Sequence, residues 1–227
     1  MNRRGLASLM VAALGYTLYG AAPARAQEVN LATLDEAPAN RVYLRTGAEF
    51  AFVAGAGYAR AVSVGQRRLL LLGEVTMPWA TLDASDYQLR VGALAPVIGW
   101  RGWRLAGSLA PTLRGTRNDV GRMTGFGFNA GATGGYYARH WFAAGELGFD
   151  YTLTTHVSHS ALYRDVAYAE ARDGWYVNPG GNYRVGAQIG ASFGRYDLVL
   201  RAGQLREMYG RKPLFPLYGT LALVTSW

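Results

Sequence analysis

The chain has 227 residues, half of them hydrophobic, with a mean hydropathy of zero and a formal net charge of +8. That is enough apolar chain to bury the core of one domain, and it excludes disorder over most of the length. Thirty glycines and fifteen tyrosines accompany no cysteine, so a disulfide scaffold, a thiolate metal site and a cysteine nucleophile are excluded together.

Arg3 and Arg4 open the chain, Leu6 to Leu18 follow without a charge, and Ala24-Arg25-Ala26 offers the small-x-small pattern of a signal-peptidase site. Residues 1–26 are therefore expected to be a secretory signal peptide. A membrane-anchoring helix would need about twenty apolar residues, and Gly15, Tyr16, Tyr19 and Gly20 dilute a shorter run. Cleavage after Ala26 leaves 201 residues with a formal charge of +5. The remaining basic residues are scattered arginines with one lysine, so nucleic acid is not an expected partner. Residues 27–40 carry Asp35, Glu36 and Pro38 with little apolar content, and read as an N-terminal tail ahead of a folded body at 41–227.

From Arg41 onward apolar residues recur with period two, in runs of about ten, the length a tilted strand needs to cross a bilayer. In 41–62 the run is too long for one pass and Gly55 and Gly57 interrupt it, which predicts two strands. In 69–77, Leu69, Leu71, Val75 and Met77 oppose Glu74 and Thr76. Residues 87–98 alternate more weakly. In 103–114, Trp103, Leu105, Gly107, Leu109 and Leu113 oppose Arg104, Ala106, Ser108, Ala110, Thr112 and Arg114. The uncharged run 123–138 contains five glycines, each costing about 1 kcal/mol inside a helix, so it too is a strand. In 141–156, Leu147, Phe149, Tyr151 and Leu153 oppose Glu146, Asp150, Thr152, Thr154 and His156. In 183–193, Tyr183, Val185, Ala187, Ile189 and Phe193 oppose Arg184, Gln188 and Ser192. Residues 197–205 and 217–227 complete the series.

Short turns are expected at 100–102, 138–140 and 194–196, and longer connections at 80–86, 115–121, 157–181 and 209–216. Pro78, Pro96 and Pro111 are awkward in a sheet without edges and fall near expected strand ends. A soluble sandwich also alternates, but its outward face is richly charged. Here the polar face is studded with Gly, Ala, Ser and Thr, and Trp79, Trp100, Trp103, Trp141, Tyr136 and Tyr137 lie near strand ends, as interfacial girdles would. The expected fold is all-β, a closed antiparallel transmembrane β-barrel of about ten strands, eight being the alternative count.

Leu217, Leu221, Leu223 and Trp227 share one face of the last segment. This ending resembles the terminal-aromatic signature of Gram-negative bacterial outer-membrane β-barrel proteins, with Thr225 where the family often has a further aromatic. The resemblance implies the outer membrane as location, its lipid as surroundings, and the barrel-assembly machinery as a partner reading the strand that ends in Trp227.

Ten charged residues are expected to face the lumen: Arg45, Glu49, Glu74, Arg90, Arg104, Glu146, Asp150, Arg184, Asp197 and Arg201. Both signs are present, so mutual neutralisation is expected, because an unpaired buried charge costs several kcal/mol. A narrow channel is the alternative for the same residues. His156 and His159 stand beside Asp165, Glu170 and Asp173, a set that would hold a metal only if three groups converged. His156-Val157-Ser158 with Glu170 resembles the His-x-Ser and downstream Glu of outer-membrane lipid A 3-O-deacylases, which would make His156 the base, Ser158 the nucleophile and Glu170 the orienting group. His159 stands where that family has asparagine. No glycine motif cradles a phosphate, and no cofactor is expected. The main expectation is a non-catalytic porin-like body whose long extracellular loop, 157–181, is a candidate binding surface; an esterase is the alternative.

Overall fold

Strict alternation between two environments is realised by ten long strands that close on themselves. The computed structural model describes residues 28–35, 39–49, 51–79, 85–177, 180–208 and 216–227; the expected signal peptide lies outside the described residues. The elements are β1 (Asn40–Ala48), β2 (Phe52–Val64), β3 (Arg67–Pro78), β4 (Tyr87–Trp100), β5 (Trp103–Asn118), β6 (Gly121–Tyr137), β7 (Trp141–His159), a short helix α1 (Ala161–Val166), a short strand β8 (Gly174–Tyr176), β9 (Gly180–Phe193), β10 (Tyr196–Glu207) and β11 (Leu217–Ser226). Each pairs antiparallel with its neighbour, β9 joins β7, and β1 meets β11 to close the ring. The run at 41–62 divides into two strands as expected, but the division falls between Ala48 and Phe52, and Gly55 and Gly57 lie within β2. The eleventh strand, β8, extends the edge of β7 beyond the ring.

Connections at 65–66, 101–102, 138–140 and 194–195 lie at one end of the barrel, the turn end, together with the start of β1 and the end of β11. The opposite strand ends, Ala48 and Phe52, Pro78 and Tyr87, Asn118 and Gly121, His159 and Gly180, and Glu207 and Leu217, lie at the other, the loop end. One expected long loop is absent: β5 and β6 run on to Asn118 and from Gly121, because Asn118 Oδ1 accepts from the amides of Val120 and Gly121 and closes a two-residue turn. Arg101 (φ 46°) and Gly102 (φ 88°) both occupy the left-handed region, as a two-residue hairpin turn matched to strand twist requires.

The prolines sit where the ladder does not need them. Pro78 ends β3, Pro96 borders a bulge in β4, and pairing between β4 and β5 skips Ala110 and Pro111. A second bulge changes the reading of β7. Phe126 pairs with Thr154 and Gly127 with Thr152, so Leu153 is an extra residue and the phase reverses beyond it. Thr155 and Val157 are buried as a result, and His156 and Ser158 face away from the lumen, contrary to the alternation expected for 141–156. Tyr137, expected in an outer girdle, also points inward, where it stacks on Phe142 at 5.1 Å.

The largest departure from the sequence reading is at the N-terminus. Residues 28–35, expected to precede the folded body, run inside it. Val29, Leu31 and Leu34 are buried against Leu70, Leu72, Leu94, Phe142 and Val199. The turn-end half of the lumen is therefore an apolar core, to which Leu70 and Leu72 contribute in phase with Glu74 further along the same strand.

Candidate functional site

Above that apolar floor the lumen is polar, and two of its charge clusters lie on separate walls, one on β1, β3 and β4 and the other on β7, β10 and β11. On the first, Glu74 of β3 accepts from Tyr43 Oη and Arg45 Nε, each at 2.8 Å, and from Thr76 Oγ1 at 2.7 Å. Arg90 of β4 pairs with the same carboxylate, and Arg45 also donates to Glu49 at 2.8 Å. On the second, Glu146 of β7 accepts from Arg201 Nε at 2.9 Å and from Tyr218 Oη, and Arg201 reaches Glu28 of the N-terminal segment at 3.4 Å. Each wall is thus built on one carboxylate receiving a tyrosine hydroxyl and an arginine. The tyrosines need room: a Cβ at Gly57 would overlap the Tyr43 ring, and one at Gly186 or Gly203 would overlap the Tyr218 hydroxyl. Glycine at these positions lets an aromatic ring lie flat on the neighbouring strand.

All ten residues expected in the lumen face it. Nine are buried and Arg104 is half-buried. The structure adds Glu28, Arg41, Tyr43, Arg114 and Tyr218. Arg114 pairs with Asp150, and Arg41 attracts Asp197. Glu28 had no signal, because nothing in an acidic, proline-containing stretch marks it as returning into the barrel. Tyr43 and Tyr218 had one: each alternates in phase with its strand's inward residues. Beyond the two walls, Asn129, Asp150 and Asn182 are register neighbours on β6, β7 and β9. Each has a buried polar atom without a protein hydrogen-bond partner, as do Nε and Nη1 of Arg184.

The N-terminal segment is fixed by polar bonds as well as by its leucines. Asn30 donates to the Ala138 carbonyl at 2.8 Å and to Ser192 Oγ at 3.1 Å, and Arg68 caps the carbonyls of Leu34 and Asp35, each at 2.9 Å. It closes the turn end as a stopper.

The connection after β7 is folded at the loop end. Ser160 caps α1 by accepting from the Tyr163 amide at 3.1 Å. Asp173 accepts from the His159 amide at 2.8 Å and from Arg164 at 2.6 Å, and lies 3.1 Å from His159 Nδ1. The Arg164 hydrogen bond, followed by that from the His159 amide, holds the Asp173 carboxyl well below the usual carboxylate range. His159 stacks on Tyr163 at 5.3 Å, while His156 meets Trp175 of β8 edge-on at 5.1 Å. The two histidines are divided between separate contacts, and among the described residues no group of three His, Asp or Glu is placed to hold a metal ion. His156 and Ser158 share the outer face of β7. No hydrogen bond joins either of them to the other or to Glu170, which is exposed in the turn after α1.

No family model matches the chain, and no curated protein matches it. Among solved structures, the beta domain of the Bordetella autotransporter Brka is similar, with a TM-score of 0.41 at 16% sequence identity over 85% of this chain and 100% of that one.

Proposed function

We propose that the chain is an exported outer-membrane β-barrel whose body is non-catalytic and closed to solutes, and whose ordered cap is its binding surface. One observation carries the reading: the barrel is inverted relative to a soluble protein. Leu44, Val91, Leu109, Leu147, Val185, Leu200 and Leu223 stand exposed around the outside, while Arg45, Glu74, Glu146 and Arg201 are buried within. A wall that apolar on every strand exceeds any patch a soluble monomer leaves in water, and suits hydrocarbon. Trp100, Trp103, Trp141 and Trp227 at the turn end, with Phe52, Trp79 and Trp175 at the loop end, are all exposed and suit the two interfaces. With both ends of the barrel domain at the turn end, that end faces the periplasm and the cap faces outward. In this reading residues 1–26 are removed on export, leaving Glu28 close to the mature terminus, and the assembly machinery reads β11.

The closed lumen supports a structural body over a channel. The stopper fills the turn end, and the two carboxylate hubs cross the space above it. The test is fractionation followed by planar-bilayer recording. The mature chain should require detergent for release from the outer membrane and show no large steady conductance, and deletion of residues 28–35 should open one. Recovery as a soluble periplasmic monomer would overturn the membrane reading, and steady conductance by the intact mature chain would overturn the closed lumen.

A further inference from the structure

We propose that the turn end is a collar for the phosphates of anionic phospholipids, built from three aromatic–arginine turns; this rests on the membrane-spanning reading above. Around consecutive strands of the ring, each turn sets an arginine at its tip between outward aromatic residues: Arg101 between Trp100 and Trp103, Arg139 between Tyr136 and Trp141, Arg195 between Phe193 and Tyr196. Three of the rings are in contact across two turns, Trp103 to Tyr136 at 6.0 Å and Tyr136 to Trp141 at 5.5 Å. Two guanidiniums lie over their neighbours' rings, Arg101 on Trp100 and Arg195 on Tyr196, each at 5.1 Å. A guanidinium held over a ring is positioned and offers its remaining N–H groups to a phosphate, Arg195 already donating from Nη2 to Tyr196 Oη at 2.9 Å.

Charge at the two ends decides which lipid. Arg60, Arg67, Arg68, Arg101, Arg139 and Arg195 stand at the turn end opposite one exposed acid among the described residues, Asp35. Among the described residues of the loop end, Arg117, Arg122, Arg164, Arg172 and Arg206 are offset by Asp86, Asp119, Asp165, Glu170, Asp173 and Glu207. The positive end is also the one with stacked arginines beside exposed aromatic rings. Arg101 holds a left-handed backbone conformation that glycine or asparagine would adopt more readily, so its side chain occupies the turn tip against local preference. The aromatic rings suit the depth of the acyl–headgroup boundary and the arginines the phosphate level beyond it. The occupant is a phospholipid of the periplasmic leaflet.

The full mature protein is reconstituted into vesicles of phosphatidylethanolamine doped with phosphatidylglycerol or with lipid A, extracted, and its retained lipids counted by native mass spectrometry. Phosphatidylglycerol should be retained in preference to phosphatidylethanolamine. The triple variant Arg101→Gln/Arg139→Gln/Arg195→Gln should lose that preference by about tenfold or more, whereas Arg117→Gln/Arg122→Gln/Arg206→Gln at the loop end should keep it. Gel mobility before and after boiling reports that each variant is folded. If the triple variant does not fold, the salt dependence of retention by the unsubstituted protein decides, with preference falling as ionic strength rises. Equal retention of the two phospholipids, an unaffected triple variant, an equal loss at the loop end, salt-independent retention, or stronger retention of lipid A would each overturn the collar. Failure to enter vesicles of any composition would overturn the membrane reading instead.

Discussion

Glu146 accepts from Arg201 and Tyr218 in a site closed to bulk water, so its replacement separates pairing from packing. Glu146→Leu leaves the Arg201 guanidinium with Glu28 alone at 3.4 Å and should destabilise the barrel by about 3–5 kcal/mol. The check is the temperature at which the folded gel species is lost, and stability equal to that of the unsubstituted protein would mean that water takes over from the carboxylate. Ser158 provides the opposite expectation. It faces away from the lumen, with no hydrogen bond to His156 and with Glu170 elsewhere, so Ser158→Ala should leave the lipid A acylation pattern unchanged in a heterologous outer membrane. Removal of an acyl chain by the parent protein and its loss in the variant would establish the esterase instead.

Within the cap, α1, β8 and the turn between them depend on one exposed carboxylate. The Asp173 pKa is lowered on folding by Arg164 and the His159 amide, so its stabilising effect is present above the unfolded value, about 3.9, and is lost as pH falls through the lower folded one. Protection factors for amide exchange across 160–177 in the detergent-folded protein, each taken against the intrinsic rate at the same pH, should therefore fall as pH drops below about 4, and Asp173→Asn should lower them over the same segment at pH 7. Protection insensitive to both would place the cap's order elsewhere. The strands themselves were legible in the sequence because alternation between two environments leaves a period in every segment, and the lumen charges followed from the same phase. What escaped was whatever the period does not encode. The extra residue at Leu153 reverses the phase without changing the pattern of residue types, and Leu70 and Leu72, in phase with Glu74, stand as unexplained leucines on the lumen face until Val29, Leu31 and Leu34 are known to cover them.

For the molecule as a whole, closure depends on β1 meeting β11, where Asn40 and Trp227 exchange backbone hydrogen bonds at 3.4 and 3.1 Å. Deleting Trp227 removes that pair and the exposed terminal ring, and should cut the yield of heat-modifiable barrel in the outer membrane far more than Ser158→Ala does; equal yields would remove the last residue from any role in assembly. The ladder is also short elsewhere in the wall. Strand β4 is held to β3 only between Leu70 and Thr76, and its pairing to β5 is broken at Ala110–Pro111 and again beside Pro96. From inside, the Arg90–Glu74 pair bridges β4 to β3. Arg90→Gln should therefore loosen β4 against β3 before any other strand, and unchanged hydrogen-exchange protection along β4 would show that its backbone ladder suffices.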